Sequence, residues 1–102
     1  MDILKQLAYC LDGLDAEVTY FSSETLIAHK DSLIIRVSKY YKYIHTELPF
    51  RLYILIEEWK LPNLYTIESI FVENNPEIAI NSMIELMVKI QNERTKTNQG
   101  GS

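Results

Sequence analysis

The stretch LIIRVSKYYKYIHTELPFRLYILIEEWKL, residues 33–61, decides the fold. It is β-branched and aromatic, has no glycine, and alternates in a way that suits strands rather than helices. If residues 33 to about 47 form one strand, Leu33, Ile35, Val37, Tyr41 and Tyr43 share one face and Arg36, Ser38, Tyr40, Lys42 and Thr46 share the other. The first set is the core side. In the next strand Phe50, Leu52, Ile54 and Ile56 make an inward row, leaving Arg51, Tyr53, Leu55 and Glu57 outside. A tight connection around Leu48-Pro49 then sets Tyr43 opposite Ile54 and Tyr41 opposite Ile56, with Lys42 near Leu55 and Tyr40 near Glu57. Lys39 falls on the inward set and predicts a bulge, an edge position or a strand break.

Working outward, further strands are expected over 17–21, 25–30 and 65–73, punctuated by Ser22-Ser23-Glu24, Asp31-Ser32 and Pro62-Asn63. Asp2 caps a first helix through Ile3, Leu4, Leu7, Ala8 and Leu11. Gly13 is placed to close that helix in the left-handed conformation, and Leu14 folds back over the cap. Asn75 as cap, Pro76 at the first position and Glu77 in the first turn open a second helix, with Ile80, Met83, Ile84, Met87 and Ile90 along one side. The expected fold is α+β: an antiparallel meander of four or five strands, with an N-terminal and a C-terminal helix packed on one face. Residues 1–91 form a single domain, and residues 92–102 read as a frayed helix end and flexible polar tail closing in Gly-Gly-Ser. A competing pattern makes residues 39–47 a short helix, because Tyr40, Tyr43, Ile44 and Glu47 fit a 3.6 period.

Composition narrows the function. Fourteen acidic against ten basic residues give a net charge of -4, the opposite of a protein that binds by neutralising phosphates. With one cysteine, no internal disulfide and no cysteine zinc cluster can form. No apolar run is long enough to span a bilayer, and the N-terminus lacks the pattern of a secretory signal, so a cytoplasmic protein with no membrane partner is expected. Isoleucine, asparagine, lysine, tyrosine and glutamate are abundant, as in the AT-rich genomes of low-GC bacteria, phages and plasmids.

Candidate chemistry is sparse. His45 and Glu47 share a strand side, but two ligands do not make a metal site and no spacing brings His29 to them. Glu57 and Glu58 are strand neighbours, which point to opposite faces, and they read as a bulge or a solvated strand end. Cys10 lies late in a helix, where the dipole disfavours a thiolate. Ser22-Ser23 lacks the glycines of a nucleophile elbow, and no glycine-rich loop exists to hold phosphates. Met83 and Met87 read as core filler. No enzyme, cofactor or metal is expected.

What stands out is the basic aromatic island Lys39-Tyr40-Tyr41-Lys42-Tyr43 in an acidic chain. Alternation leaves Arg36, Tyr40, Lys42, Arg51, Tyr53 and Glu57 outside, and these six form the expected partner-binding face. Trp59 joins them if no bulge at Glu57-Glu58 turns it inward, standing then beside Tyr53 and Tyr40. The leading expectation is a small non-enzymatic protein-binding module, of the kind phages and mobile elements encode to occlude host machinery, anti-CRISPR proteins being one instance. A nucleic-acid-binding or regulatory module, with bases stacked on the tyrosines, is the alternative. A homodimer is compatible with either, because helices on one side leave the other sheet face available.

Overall fold

The computed structural model describes residues 2–41 and 50–100. Its elements run α1 (Ile3–Gly13), β1 (Glu17–Phe21), β2 (Thr25–Lys30), β3 (Leu33–Tyr40), β4 (Arg51–Lys60), β5 (Asn63–Val72) and α2 (Pro76–Gly100). The five strands form one antiparallel meander in chain order, and both helices lie against the same face. The expected α+β architecture is the one observed.

The inward rows explain why the layers adhere. Leu26 and Ala28 of β2, Leu33, Ile35 and Val37 of β3, and Leu52, Ile54 and Ile56 of β4 are buried under Leu4, Leu7 and Leu11 of α1 and Ala79, Met83, Leu86, Met87 and Ile90 of α2. A large aliphatic side chain fully removed from water contributes about 1.5–3 kcal/mol, so this layer outweighs any surface contact in the molecule.

Both helix starts follow the sequence. The Leu4 N–H donates to Asp2 Oδ1 at 3.2 Å, and the Ile78 N–H donates to Asn75 Oδ1 at 3.1 Å. The end of α1 does not. Gly13 has no positive φ; Asp15, at φ 63°, takes the left-handed position instead. The Ala16 N–H donates to the Leu11 carbonyl at 2.9 Å and the Asp15 N–H to that of Asp12 at 3.1 Å, the paired bonds of a Schellman closure two residues beyond the expected one. Aspartate tolerates that conformation, and the shift lets Leu14 and Ala16 pack on the core. At the other end of the chain, α2 continues past Gln91, where polarity alone would end it. Residues 92–99 contain no glycine or proline to break the helix.

The central hairpin corrects the expected register. Tyr40 pairs with Arg51, Val37 with Ile54 and Ile35 with Ile56, so β3 lies six residues along β4 from the position inferred. A slide by an even number of residues keeps every side chain on its face, which is why the inward rows survive it. β3 ends at Tyr40, and Tyr41 is not part of the strand. Tyr41, expected in the core, is half-exposed; its ring lies 5.6 Å from that of Phe50 and its hydroxyl donates to Glu24 Oε2 at 2.8 Å. Lys42, Tyr43, His45, Glu47, the Leu48-Pro49 connection and most of the alternative short helix lie outside the described residues.

Lys39 needs no bulge. It points inward at the end of β3, where its ammonium lies 3.6 Å from Asp2 and 4.9 Å from the centre of the Phe50 ring. The ladder's two irregularities lie elsewhere. β1 carries an extra residue at Thr19 opposite β2, and β5 an extra residue at Ile67 opposite β4.

Candidate binding face

Among the described residues, helices cover one side of the sheet only. The outer rows of β2 to β5 contain Ile27, Ile34, Arg36, Tyr40, Arg51, Tyr53, Leu55, Glu57, Trp59 and Phe71, with Tyr20 of β1 beside Ile27. Six of the seven expected site residues, Arg36, Tyr40, Arg51, Tyr53, Glu57 and Trp59, fall on this face; the seventh, Lys42, lies outside the described residues.

The face has three zones. At the end near Tyr40, Phe71 is the hub: Tyr53 stacks on it with ring centres 4.7 Å apart and a tilt of 35°, and Tyr40 meets it edge-on at 5.0 Å. The Arg51 guanidinium stands 5.7 Å above the same ring. Such ring pairs contribute about 0.5–1.5 kcal/mol each beyond their buried area, enough to hold the cluster in one arrangement. In the middle, Arg36 reaches diagonally from β3 to Glu57 on β4, Nη2 to Oε1 at 3.5 Å, over the half-buried Ile27, Ile34 and Leu55. That separation does not make a good hydrogen bond. Arg36 Nε, Arg51 Nε and Glu57 Oε1, screened from solvent by their neighbours, have no hydrogen-bond partner. At the far end Trp59 pairs across to Leu64, the two being 47% and 41% exposed.

Trp59 therefore faces out, as expected without a bulge in β4. The extra residue sits on β5, so β4 keeps its alternation through Glu57 outward, Glu58 inward and Trp59 outward. It does not join Tyr53 and Tyr40, because six residues of strand separate it from Tyr53 by about 20 Å. Phe71 was not anticipated. Residues 65–73 were recognisable as a strand, but without its register no face could be assigned to them.

Glu58 is the other residue the sequence hides. Expected at a solvated strand end, it is a buried carboxylate beneath α2, 7% exposed. Arg94 Nη2 lies 2.8 Å from its Oε2 and Lys60 Nζ 3.3 Å from its Oε1, while the Ser32 hydroxyl donates to Oε2 at 3.2 Å. Arg94 also donates to Ser32 Oγ at 3.0 Å. Burial pushes the Glu58 carboxyl up, yet the hydrogen bonds from Lys60 and Ser32 and the charges of Arg94 and Lys60 outweigh it and hold the group below its ordinary range. A carboxylate kept ionised and saturated with donors is a strut between β4, the β2–β3 turn and α2. It is not poised as an acid or a base.

Elsewhere the chemistry is quiet. Burial pushes the Cys10 thiol up, away from a reactive thiolate. The hydrogen bond that Tyr41 donates to Glu24 raises its phenol, with smaller contributions from burial and from the charges of Glu24 and Asp2. Among the described residues, no three His, Cys, Asp or Glu side chains gather to hold a metal ion. Among them also, no helix is long and apolar enough to cross a membrane.

Compared with known proteins, the chain matches no family model, no curated protein and no solved structure. The class is thus defined by its own geometry: a five-stranded antiparallel meander with two helices on one face and an aromatic, arginine-bearing surface on the other.

Proposed function

We propose that this chain is a small non-enzymatic protein-binding module that works from the cytoplasm by covering a macromolecular partner with the open face of its sheet. The observation that carries the reading is the Tyr40–Phe71–Tyr53 cluster with Arg51 above it, on the sheet face opposite the two described helices. Tyrosine, tryptophan and arginine are the residues that dominate binding energy at protein interfaces, because each combines a large apolar body with a polar end. The acidity of the rest of the chain suits a partner with a basic surface, since complementary potentials speed encounter. Inhibition of host machinery by a phage- or mobile-element-encoded protein, as anti-CRISPR proteins do, is the biological setting we propose.

A protein partner is favoured over single-stranded nucleic acid by the charges of this face. Arg36 already has Glu57 as its counter-ion, leaving Arg51 as the one described arginine of the face without a carboxylate partner. One cation tracks a phosphate backbone poorly.

The test is an affinity capture from the native host with the wild-type chain, a Tyr53→Ala/Arg51→Ala variant of the face and a Val88→Ser variant of the helical side. The expected result is a partner retained by wild type and Val88→Ser and lost by the face variant. Retention of every partner by the face variant overturns the reading. Binding of a single-stranded oligonucleotide that weakens steeply with salt moves the assignment to nucleic acid.

A further inference from the structure

We infer that, when no other partner occupies it, the open face is covered by a second copy of this chain, the two sheets stacking into a sandwich with helices on both outer sides. This rests on the reading of the face as a protein-binding surface and adds that binding any other protein competes with self-association.

Three observations lead there. The first is area. Five strands spaced about 4.8 Å apart and roughly eight residues long give a face of roughly 600 Å². Two such faces in contact remove roughly 1,200 Å² or more from water, the lower bound of stable, specific interfaces.

The second is the charge of the face. The chain has fourteen carboxylates and a net charge of -4, so most contacts between copies would oppose like charges. The outer rows of β3, β4 and β5 hold a single carboxylate, Glu57, with Arg36 and Arg51. Over all five strands the outer rows add one more carboxylate, Glu17 of β1, which balances the two arginines and makes this a near-neutral part of the surface where two acidic chains meet with little repulsion.

The third is complementarity of the face to itself. A two-fold contact sets the same patch on both sides, so whatever one copy offers, the other must accept. Arg36 Nε and Arg51 Nε are donors without acceptors, and Glu57 Oε1 is an acceptor without a donor. Rotation of these side chains as the faces close would give Glu57 of one copy an arginine donor from the other. Half-buried Ile27, Ile34 and Leu55 supply the apolar centre, and sheets stacked about 10 Å apart let such rows interdigitate.

The experiment is sedimentation of the full chain from about 1 µM to about 500 µM, a range that spans weak and tight self-association. The mass is expected to reach twice 11.9 kDa within that range. Trp59, the one tryptophan, stands on this face at 47% exposure, so its emission in the unmodified protein should shift to the blue with the same midpoint as the mass. Leu55→Arg, whose folding is checked by circular dichroism, should raise the dimer Kd roughly 30-fold or more, as removal of a central interface contact does. Val88→Arg, on the exposed side of α2, should leave it unchanged. A chain that stays at 11.9 kDa throughout overturns the inference, as does a dimer whose formation leaves Trp59 emission unmoved. A monomer that captures a host protein through Tyr53 and Arg51 overturns the inference and leaves the proposed function standing. Failed capture by a chain that dimerises through Leu55 does the reverse.

Discussion

The two faces of the sheet are built from adjacent residues of the same strands, yet they have opposite physical characters. On the helix side of β4, Leu52, Ile54 and Ile56 are fully removed from water and Glu58 nearly so. One residue along, Tyr53, Leu55 and Glu57 are half-buried, Tyr53 against Phe71 and Glu57 beside Arg36, and Trp59 is exposed. The inner face is finished: the buried Glu58 has three partners, and Glu68 of β5 is met by Lys89 of α2 at 3.0 Å. The outer face has an ion pair at 3.5 Å and three polar atoms without a hydrogen bond. Stability belongs to the first surface, and recognition is the role proposed for the second.

Neighbouring substitutions can break that contrast. Ile54→Ala should cost about 2–5 kcal/mol in chemical denaturation, the range for truncating a fully buried aliphatic residue. Leu55→Ala, one residue away, should cost less than about 1 kcal/mol in dilute, monomeric protein. Equal losses would mean that the outer face is as much core as the inner.

The adjacent glutamates give a smaller version of the test. Glu58→Gln should destabilise by about 1–2 kcal/mol at neutral pH, discounted from the cost of breaking a fully buried pair because Arg94 and Lys60 remain partly in water. Glu57→Gln should cost about 0.5 kcal/mol or less. A carboxyl whose pKa is lowered by folding contributes stability that is present above its unfolded value and lost as pH falls through the folded one. Wild type should therefore lose the Glu58 contribution as pH drops below the ordinary glutamate value of 4.5, and Glu58→Gln should flatten that part of the pH–stability curve.

Smallest is the effect at the end of α1, which sharpens the account of the covered layer. Gly13 is helical and a Cβ added there meets nothing within 4 Å, so Gly13→Ala should stabilise by roughly 0.5–1 kcal/mol. Asp15→Ala should destabilise by about 1 kcal/mol, because alanine resists the positive φ that aspartate accepts there. Reversed signs in thermal melts would return the closure to Gly13.

These pairs also show what the sequence could and could not reveal. The inner rows were legible because burial on one face imposes period-two alternation, and Leu52, Ile54 and Ile56 display it plainly. Six of the seven expected site residues landed on the outer face for the same reason. The register was not legible, since a slide of six residues leaves the alternation intact and only contacts distant in sequence choose between the alternatives. Glu58 was misread because an inward charge breaks the pattern, and the residues that justify it, Ser32 and Arg94, are remote along the chain. Phe71 stayed unassigned until β5 was paired. Gly13 was overvalued because glycine is the usual closing residue of a helix, whereas here an aspartate serves.

The extra residues at Thr19 and Ile67 carry a last consequence. They sit in β1 and β5, the two strands whose outer edges have no neighbouring strand in the sheet. A kinked, locally irregular edge is a poor template for another chain to extend, which is how natural sheets resist polymerising side by side into fibres. With both borders spoiled in this way, assembly by adding strands is blocked in either direction. The association proposed above uses the flat of the sheet instead, where a single stacking event would use up the surface and growth would stop.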